Sequence, residues 1–477
     1  MKRTYLFYDL ETSGLNTAFD QILTFACIRT DEMFGEIDRR EIKVKLRPDV
    51  VPSPGALLVN RLPVEKLHQG LCEYEAALRI HEELNTPGTI SLGYNTLGFD
   101  DEFLRFTFYR NLLDPYTHQY SRGCGRMDIF PITALYWIFK PELLNWPLKE
   151  NGEPSLRLEL LGRENSLLSK DGRSHEAMAD VQATLNLAVL LSAEEPTFQY
   201  AAGFFDKETD RQRIESIGSV LESGGKSFRV GIAVSPFMGS DANYLSPVVC
   251  LGRSRVYNNQ HVWLRLDRED LDVFQDTAPE ESVRVVLRKR YGDLPFILPF
   301  FDRFYDRIPQ KGKTLTDYNF QLLERKPDLL EKLIEYHVNF AYRYIPDLDP
   351  DAALYQDGFF TRSEKCESLR FHQAGPAEKS AVADSMENSR TRTLAKRILG
   401  RNFYSGSTES DSGPADEFGR VQLPMEETVK GFRDDVKLTV KAAADELEEH
   451  RKRDLDLEQA KIAQQLDLFL RSSLDPE

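Results

Sequence analysis

Asp9, Leu10, Glu11 and Thr12 follow a short apolar run, Tyr5-Leu6-Phe7-Tyr8. If that run is a buried strand, Asp9 and Glu11 point to one face, because residues two apart on a strand share a side. Two carboxylates on one face repel each other and lose hydration, so something positive should compensate. Hard divalent cations such as Mg²⁺ prefer such oxygen ligands. Taken alone, the pattern fits two surface acids at a strand end equally well. Gly14, just beyond, permits a tight turn.

Two further segments carry similar chemistry. Gly93-Tyr94-Asn95-Thr96-Leu97-Gly98-Phe99 leads into Asp100-Asp101-Glu102-Phe103 at an expected loop-to-helix junction. Asp100 there could cap the helix, where negative charge meets the positive end of the helix dipole. His175-Glu176-Ala177-Met178-Ala179-Asp180 places an imidazole five residues before a carboxylate, at the start of an expected long helix. By itself, such a histidine also reads as a surface residue. Together, Asp9, Glu11, Asp100 and Asp180 supply four carboxylates from three separate segments. His175 supplies a group that takes a proton near neutral pH. Two Mg²⁺ ions about 4 Å apart among those carboxylates would clamp the attacking and leaving oxygens of a phosphodiester. The constellation points to phosphodiester hydrolysis.

The elements that must position these groups are legible in outline. Residues 5–8, 22–28 and 89–92 are strand candidates, and Ile42, Val44 and Leu46 alternate with lysines in the period-two manner of a half-exposed strand. Helices are expected over 74–84, 101–113 and 176–191. This alternation over residues 1–195 suggests an α/β layer. Residues 196–347 contain strand candidates at 228–234, 261–266 and 283–287, punctuated by Gly, Pro and Asn, and read as a smaller β-rich domain. Residues 350–477 read as mostly helical. Within them, 405–417 is a Ser/Gly/Asp-rich stretch expected to form a loop, and 426–477 is helix-prone with 14 acidic and 9 basic residues.

The order Asp-x-Glu, Asp, His-x4-Asp resembles the DEDD-type exonuclease superfamily, in its histidine-bearing branch. Flanking blocks strengthen the likeness to single-strand-specific DNA exonucleases of that superfamily. They are Phe108-Tyr109-Arg110-Asn111 with Asp114-Pro115-Tyr116, Asn145-Trp146-Pro147, Pro154-Ser155-Leu156-Arg157-Leu158, Tyr355 with Gly358-Phe359-Phe360, and Arg401-Asn402-Phe403. The resemblance implies an α/β fold in three parts: an RNase H-like 3′–5′ exonuclease domain, an SH3-like domain and an all-helical C-terminal domain. It implies Asp9, Glu11 and Asp180 as metal ligands for two Mg²⁺ ions, with Mn²⁺ as a substitute, and Asp100 as their close partner. His175 becomes the general base. Glu11 touches the terminal nucleotide, Arg157 contacts substrate, and Arg105 and Tyr116 lie along a single-stranded DNA path. Arginine pairs with phosphate and an aromatic ring stacks on any base. Arg105 as a solvated helix residue and Tyr116 as a packed loop aromatic are the competing readings. The resemblance also implies a monomer that acts in DNA repair and recombination. It further implies docking of the acidic tail of single-strand DNA-binding protein, with Lys226 as a candidate contact.

Composition limits the alternatives. The chain has 477 residues and a net charge of −16, which argues against a general nucleic-acid coat protein but not against a local basic groove. A chain of this length needs no disulfide or metal staple to fold. Cys27, Cys72, Cys124, Cys250 and Cys366 are scattered and unpaired in pattern, as expected of reduced thiols in a cytoplasmic protein. No apolar run approaches the roughly 18 residues of a membrane span. Gly225-Lys226-Ser227 resembles the end of a P-loop, but six residues separate Gly218 from Gly225 where four are required. Five cations and no acid between 388 and 401 suggest a DNA-backbone rail, or a helix face paired to acids elsewhere. Two other functions fit the same residues: an exoribonuclease or proofreading exonuclease, and a non-catalytic single-strand DNA scaffold.

Overall fold

The computed structural model describes residues 2–168, 177–403, 423–426, 429–433 and 435–474. The expected loop at 405–417 lies outside the described residues. The protein is a mixed α/β chain that packs as two compact units. One contains Met1–Arg126, Ser169–Leu185 and Tyr344–Glu477; the other contains Met127–Leu168 and Asn186–Arg343.

The first unit is built on a five-stranded sheet of β1 (Thr4–Thr12), β2 (Ile22–Thr30), β3 (Glu36–Lys43), β4 (Thr89–Leu92) and β5 (Gly125–Arg126), in the order β3-β2-β1-β4-β5. β1 runs antiparallel to β2 and parallel to β4. Leu6, Tyr8 and Leu10 of β1 join a buried cluster with Ile80 and Leu84 of helix Glu73–Leu84 and with Phe103, Leu104 and Phe108 of helix Asp100–Arg110. Each such side chain contributes about 1.5–3 kcal/mol on burial. Strand alternation then sends Asp9 and Glu11 to the opposite face. β3 is an edge strand whose charged residues Glu36, Asp38, Arg39, Arg40, Glu41 and Lys43 blunt it against pairing with another chain. The strand expected through Leu46 therefore ends at Lys43. Val44 and Leu46 are buried beyond it, with their amides bonded to Leu23 and Leu67 carbonyls.

C-terminal helices complete this unit. Phe19, Tyr74, Phe106 and Tyr109 share a core with Phe360, Phe371, Leu394 and Ile398. Leu57 and Leu67 share another with Val440, Leu447, Ile462 and Leu466. Between them runs a buried lattice of charge. Glu73 accepts from Arg110 at 2.7 Å and from Arg47 at 3.0 Å. Arg47 also donates to Asp49 at 3.1 Å. Asp49 accepts in turn from Arg401 and Lys437, each at 3.1 Å, and Arg401 is paired with Asp351. The cations at 388–401 are thus internal partners rather than a free rail. Arg390 pairs with Glu364, Lys396 with Asp384, Arg397 with Asp349, and Arg401 with Asp49 and Asp351, while Arg392 donates to the Met386 carbonyl.

The second unit carries an antiparallel sheet of order β10-β9-β8-β7-β11 with β6 on β7. Its strands are β6 (Ser219–Ser223), β7 (Lys226–Val234), β8 (Leu245–Arg253), β9 (Gln260–Arg265), β10 (Val286–Arg290) and β11 (Phe296–Pro299). Helices Gln310–Arg325 and Pro327–Val338 bury Leu322, Leu323, Leu330 and Leu333 against it. The strand expected at 283–287 begins at Val286, because Pro279–Val285 winds into a 3₁₀ helix. All five cysteines are free thiols. Among the described residues no helix is long and apolar enough to cross a membrane.

Removing one member of a buried charge cluster strands the others, at a cost of about 3–5 kcal/mol. Arg110→Ala is expected to lower unfolding free energy by about that amount, measured by urea denaturation at pH 7. Burial alone would raise the pKa of Glu73, but Arg110 and Arg47 outweigh it and hold it down to about 2. Glu73 therefore contributes stability above the ordinary carboxylate range that is lost as pH falls toward 2.

Candidate active site

The carboxylates meet in the first unit. β1 presents Asp9 and Glu11, both partly exposed, and its register with β2 shifts just after Glu11. Asp100 is the first residue of helix Asp100–Arg110 and is 5 % exposed. Its Oδ1 accepts from the Leu10 amide at 3.2 Å, which ties the helix start to the middle of the Asp-x-Glu motif. The helix is preceded by Phe99 with no side-chain cap, so Asp100 reaches across to β1 rather than capping its own helix. Asp180 stands in the first turn of helix Ala177–Ser192. Of the candidates named from sequence, His175 lies outside the described residues.

Two close approaches shape the loops around this site. A Cβ on Gly14 would fall 2.3 Å from Asp20 Oδ2, so the glycine is needed for the Asp20 carboxylate to fold under the loop, and not for a turn. Asp20 accepts there from Ser13 Oγ at 3.0 Å and from the Asn16 amide at 2.8 Å. Arg110 donates to the carbonyls of Ala18 and Asp20, and Arg47 to that of Phe19. The buried arginines thus hold the loop that leaves Glu11. A Cβ on Gly93 would lie 2.4 Å from the Tyr8 carbonyl, so only glycine lets the segment before Asp100 run this close to β1.

Burial and neighbouring acids raise the proton affinity of Asp9 and Glu11. Burial pushes Asp9 well above the usual carboxylate range, and the charges of Asp100, Glu11 and Asp180 add to it. Burial, then Asp180 and Asp100, push Glu11 up to about 8. These interactions bring all four carboxylates into one electrostatic neighbourhood. Among the described residues, no three side chains of metal-ligating type are already closed around a common point. The donor set nonetheless fits hard divalent cations: oxygen ligands, low exposure, and mutual repulsion that a cation relieves.

Asp101 and Glu102 face elsewhere. Asp101 is 2 % exposed and pairs with Arg105 and Arg126, with His118 Nε2 at 3.2 Å. Burial would raise its pKa, but Arg105, Arg126 and His118 hold it far below the carboxylate range. Glu102 accepts from Tyr355 at 3.0 Å and Arg433 at 2.8 Å. Three consecutive acids on a helix fan around its axis, and their neighbours could not be assigned from spacing alone. Arg105 lies 5.6 Å from the Tyr116 ring centroid, and Tyr116 sits edge-on to the 72 % exposed Phe359. Arg157 precedes helix Leu158–Glu164 in the second unit, with its side chain exposed.

A family model described as Exonuclease (RNase_T) matches residues 6–188, the span that holds every carboxylate above. The chain is 27 % identical to exodeoxyribonuclease I of Escherichia coli (strain K12) over 464 residues, covering 93 % of this chain and 95 % of that one. It is 28 % identical to exodeoxyribonuclease I of Haemophilus influenzae over 428 residues, covering 86 % and 88 %. The solved structure of E. coli exonuclease I in complex with a dA16 oligonucleotide superposes with a TM-score of 0.80 at 25 % identity, over 99 % of this chain and 100 % of that one. Over residues 6–188 the chain matches the Exonuclease (RNase_T) family, and over most of its length it is similar to exodeoxyribonuclease I. Exonucleases of this family work with divalent metal ions.

Without divalent cation, the raised carboxylates bind more protons folded than unfolded. Stability is therefore expected to fall as pH rises from about 4, the unperturbed value, toward the value of about 8 for Glu11. Thermal melts in EDTA across that window should show the fall, and Glu11→Gln should flatten it.

Proposed function

We propose that this protein is a 3′–5′ exonuclease that hydrolyses single-stranded DNA to 5′-mononucleotides. The observation that carries the reading is the convergence of Asp9, Glu11, Asp100 and Asp180 from three separate elements into one acidic site of low exposure. The relatives' names and the oligonucleotide complex support the substrate.

In this reading Asp9, Glu11 and Asp180 hold two Mg²⁺ ions, for which Mn²⁺ substitutes. Bound there, the ions lower the pKa of water and offset charge on the phosphodiester. His175 takes the proton from the attacking water, whose oxygen bonds to phosphorus as the P–O3′ bond breaks. Asp100 keeps β1 and the helix start in register through the Leu10 amide. Glu11 also contacts the terminal nucleotide, and Arg157 pairs with phosphate. Tyr116 offers a ring for a base, backed by Arg105, whose charge is already matched by Asp101.

By resemblance we further propose a cytoplasmic monomer acting in DNA repair and recombination. Segments 1–195, 196–347 and 350–477 are proposed as an RNase H-like 3′–5′ exonuclease domain, an SH3-like domain and a helical C-terminal domain. Lys226 is proposed to contact the acidic tail of single-strand DNA-binding protein. Lys226 pairs with Glu331 at 2.8 Å, but both side chains are mostly exposed. Exposed pairs of this kind are weak and exchange readily for another carboxylate.

With Mg²⁺ and a 5′-labelled single-stranded oligonucleotide, the expected result is a ladder shortening from the 3′ end, with equal-sequence duplex and RNA left intact. Asp180→Ala should lower the rate by about 10³-fold, since lost metal coordination removes several kcal/mol of transition-state stabilisation. His175→Ala should lower it by about 10²–10⁴-fold. Preferential loss of the RNA would make the protein a ribonuclease. Binding without cleavage by the wild type would make it a scaffold.

A further inference from the structure

Late in the first unit, residues 429–433 and 435–437 fold back on each other. The Lys437 amide donates to the Val429 carbonyl at 2.8 Å and the Gly431 amide to the Asp435 carbonyl at 2.7 Å, while Lys430 pairs antiparallel with Val436. A Cβ on Gly431 would lie 2.1 Å from Asp435 Oδ1, so pairing this tight requires glycine. The carboxylate chemistry gives the segment no role, yet its contacts fall on both elements that carry Glu11 and Asp100.

On one side it grips helix Asp100–Arg110. Phe432 stacks on Phe106 with ring centroids 5.1 Å apart and sits edge-on to Tyr355 at the same distance. Arg433 donates to Glu102 Oε1 at 2.8 Å, and Glu102 stands two residues beyond Asp100 in the first turn. On the other side it grips the loop that leaves Glu11. The Val436 carbonyl accepts from Asn16 Nδ2 at 3.2 Å. Asn16 Oδ1 accepts from the amides of Ala18 and Phe19, and the Asn16 amide donates to Asp20, so this one residue organises the loop. Lys437 anchors the end of the segment on Asp49 at 3.1 Å.

β1 and the helix are already joined through the Leu10 amide and Asp100. The segment joins loop and helix a second time, through groups close to solvent. Burial of its ring accounts for Phe432. It does not account for Arg433, which is mostly exposed and still turned to the first helical turn. We propose that this segment is a clasp that sets the spacing between the Glu11 loop and the Asp100 helix, and that Arg433 is the positioning residue that closes it. Its effect on hydrolysis rests on the function proposed above; its effect on cation binding does not.

The experiment compares the full-length wild type with Arg433→Gln, Arg433→Lys, Glu102→Gln and the double variant Glu102→Gln/Arg433→Gln. Steady-state hydrolysis of oligothymidine at saturating Mg²⁺ separates kcat from KM. Calorimetric titration of the metal-free protein with Mn²⁺ gives cation affinity, and urea denaturation gives the unfolding midpoint. Arg433→Gln is expected to lower kcat and Mn²⁺ affinity each by about 3- to 5-fold, the scale of one partly exposed ion pair, with KM unchanged. Glu102→Gln should match it, and the double variant should be no worse than either single one, because both remove the same contact. Arg433→Lys should keep the wild-type values. A raised KM with unchanged kcat would make Arg433 a substrate contact and overturn the clasp. Unchanged kcat and Mn²⁺ affinity would overturn it too, and a lowered unfolding midpoint beside them would mark the segment as structural only. Absence of hydrolysis by the wild type would sink the hydrolytic reading instead, and the Mn²⁺ titrations would then decide the clasp on their own.

Discussion

Four carboxylates held close together in a poorly solvated place oppose folding, and the first unit is arranged around that constraint. The four acids come from three elements: two from alternate residues of β1, one from a helix start, and one from the first turn of another helix. Asp9 and Glu11 could not stay there on electrostatics alone, because burial and the charges of Asp100 and Asp180 raise their proton affinity. What holds them is apolar packing on the far face of β1, where Leu6, Tyr8 and Leu10 lock against helix Glu73–Leu84 and the helix that carries Asp100. The Leu10 amide bond to Asp100 is the point where packing and chemistry join.

A second layer of charge, of opposite logic, supports the first. Arg47, Arg110, Arg401 and Lys437 are buried with Asp49, Glu73 and Asp351, and here every acid is paired. Arg47 and Arg110 also hold the carbonyls of residues 18–20, the loop that leaves Glu11. Residues more than 300 positions apart, such as Asp49 and Arg401, meet in this cluster. The C-terminal helices are therefore part of the support of the acidic site.

The acidic site itself was largely readable from sequence, because the strand period aligns Asp9 with Glu11 and because carboxylates recurring with a histidine have few other uses. The support was not. Gly14 looked like a turn residue, but its role is steric and involves Asp20 six positions on. Of the two readings of the basic stretch at 388–401, the helix face paired to acids elsewhere holds; spacing could not choose it over a DNA rail because the partners, Asp49, Asp349, Asp351 and Glu364, lie elsewhere in the chain. Asp100 and Asp101 are adjacent in sequence yet differ in surroundings, one facing Asp9 and raising its proton affinity and the other paired with arginines. β5, β6, β8 and β11 were missed: β8 carries Pro247 and Gly252 within it, and β5, β6 and β11 are only two, five and four residues long.

The central claim is that Asp9 and Glu11 hold protons in the absence of a divalent cation and surrender them when one binds. Calorimetric titration of the metal-free protein with Mn²⁺ at pH 7, repeated in buffers of different ionisation enthalpy, measures that exchange directly. The account predicts saturable binding with net proton release, diminished in Asp9→Asn. Binding without proton release, or release unchanged in that variant, would contradict it.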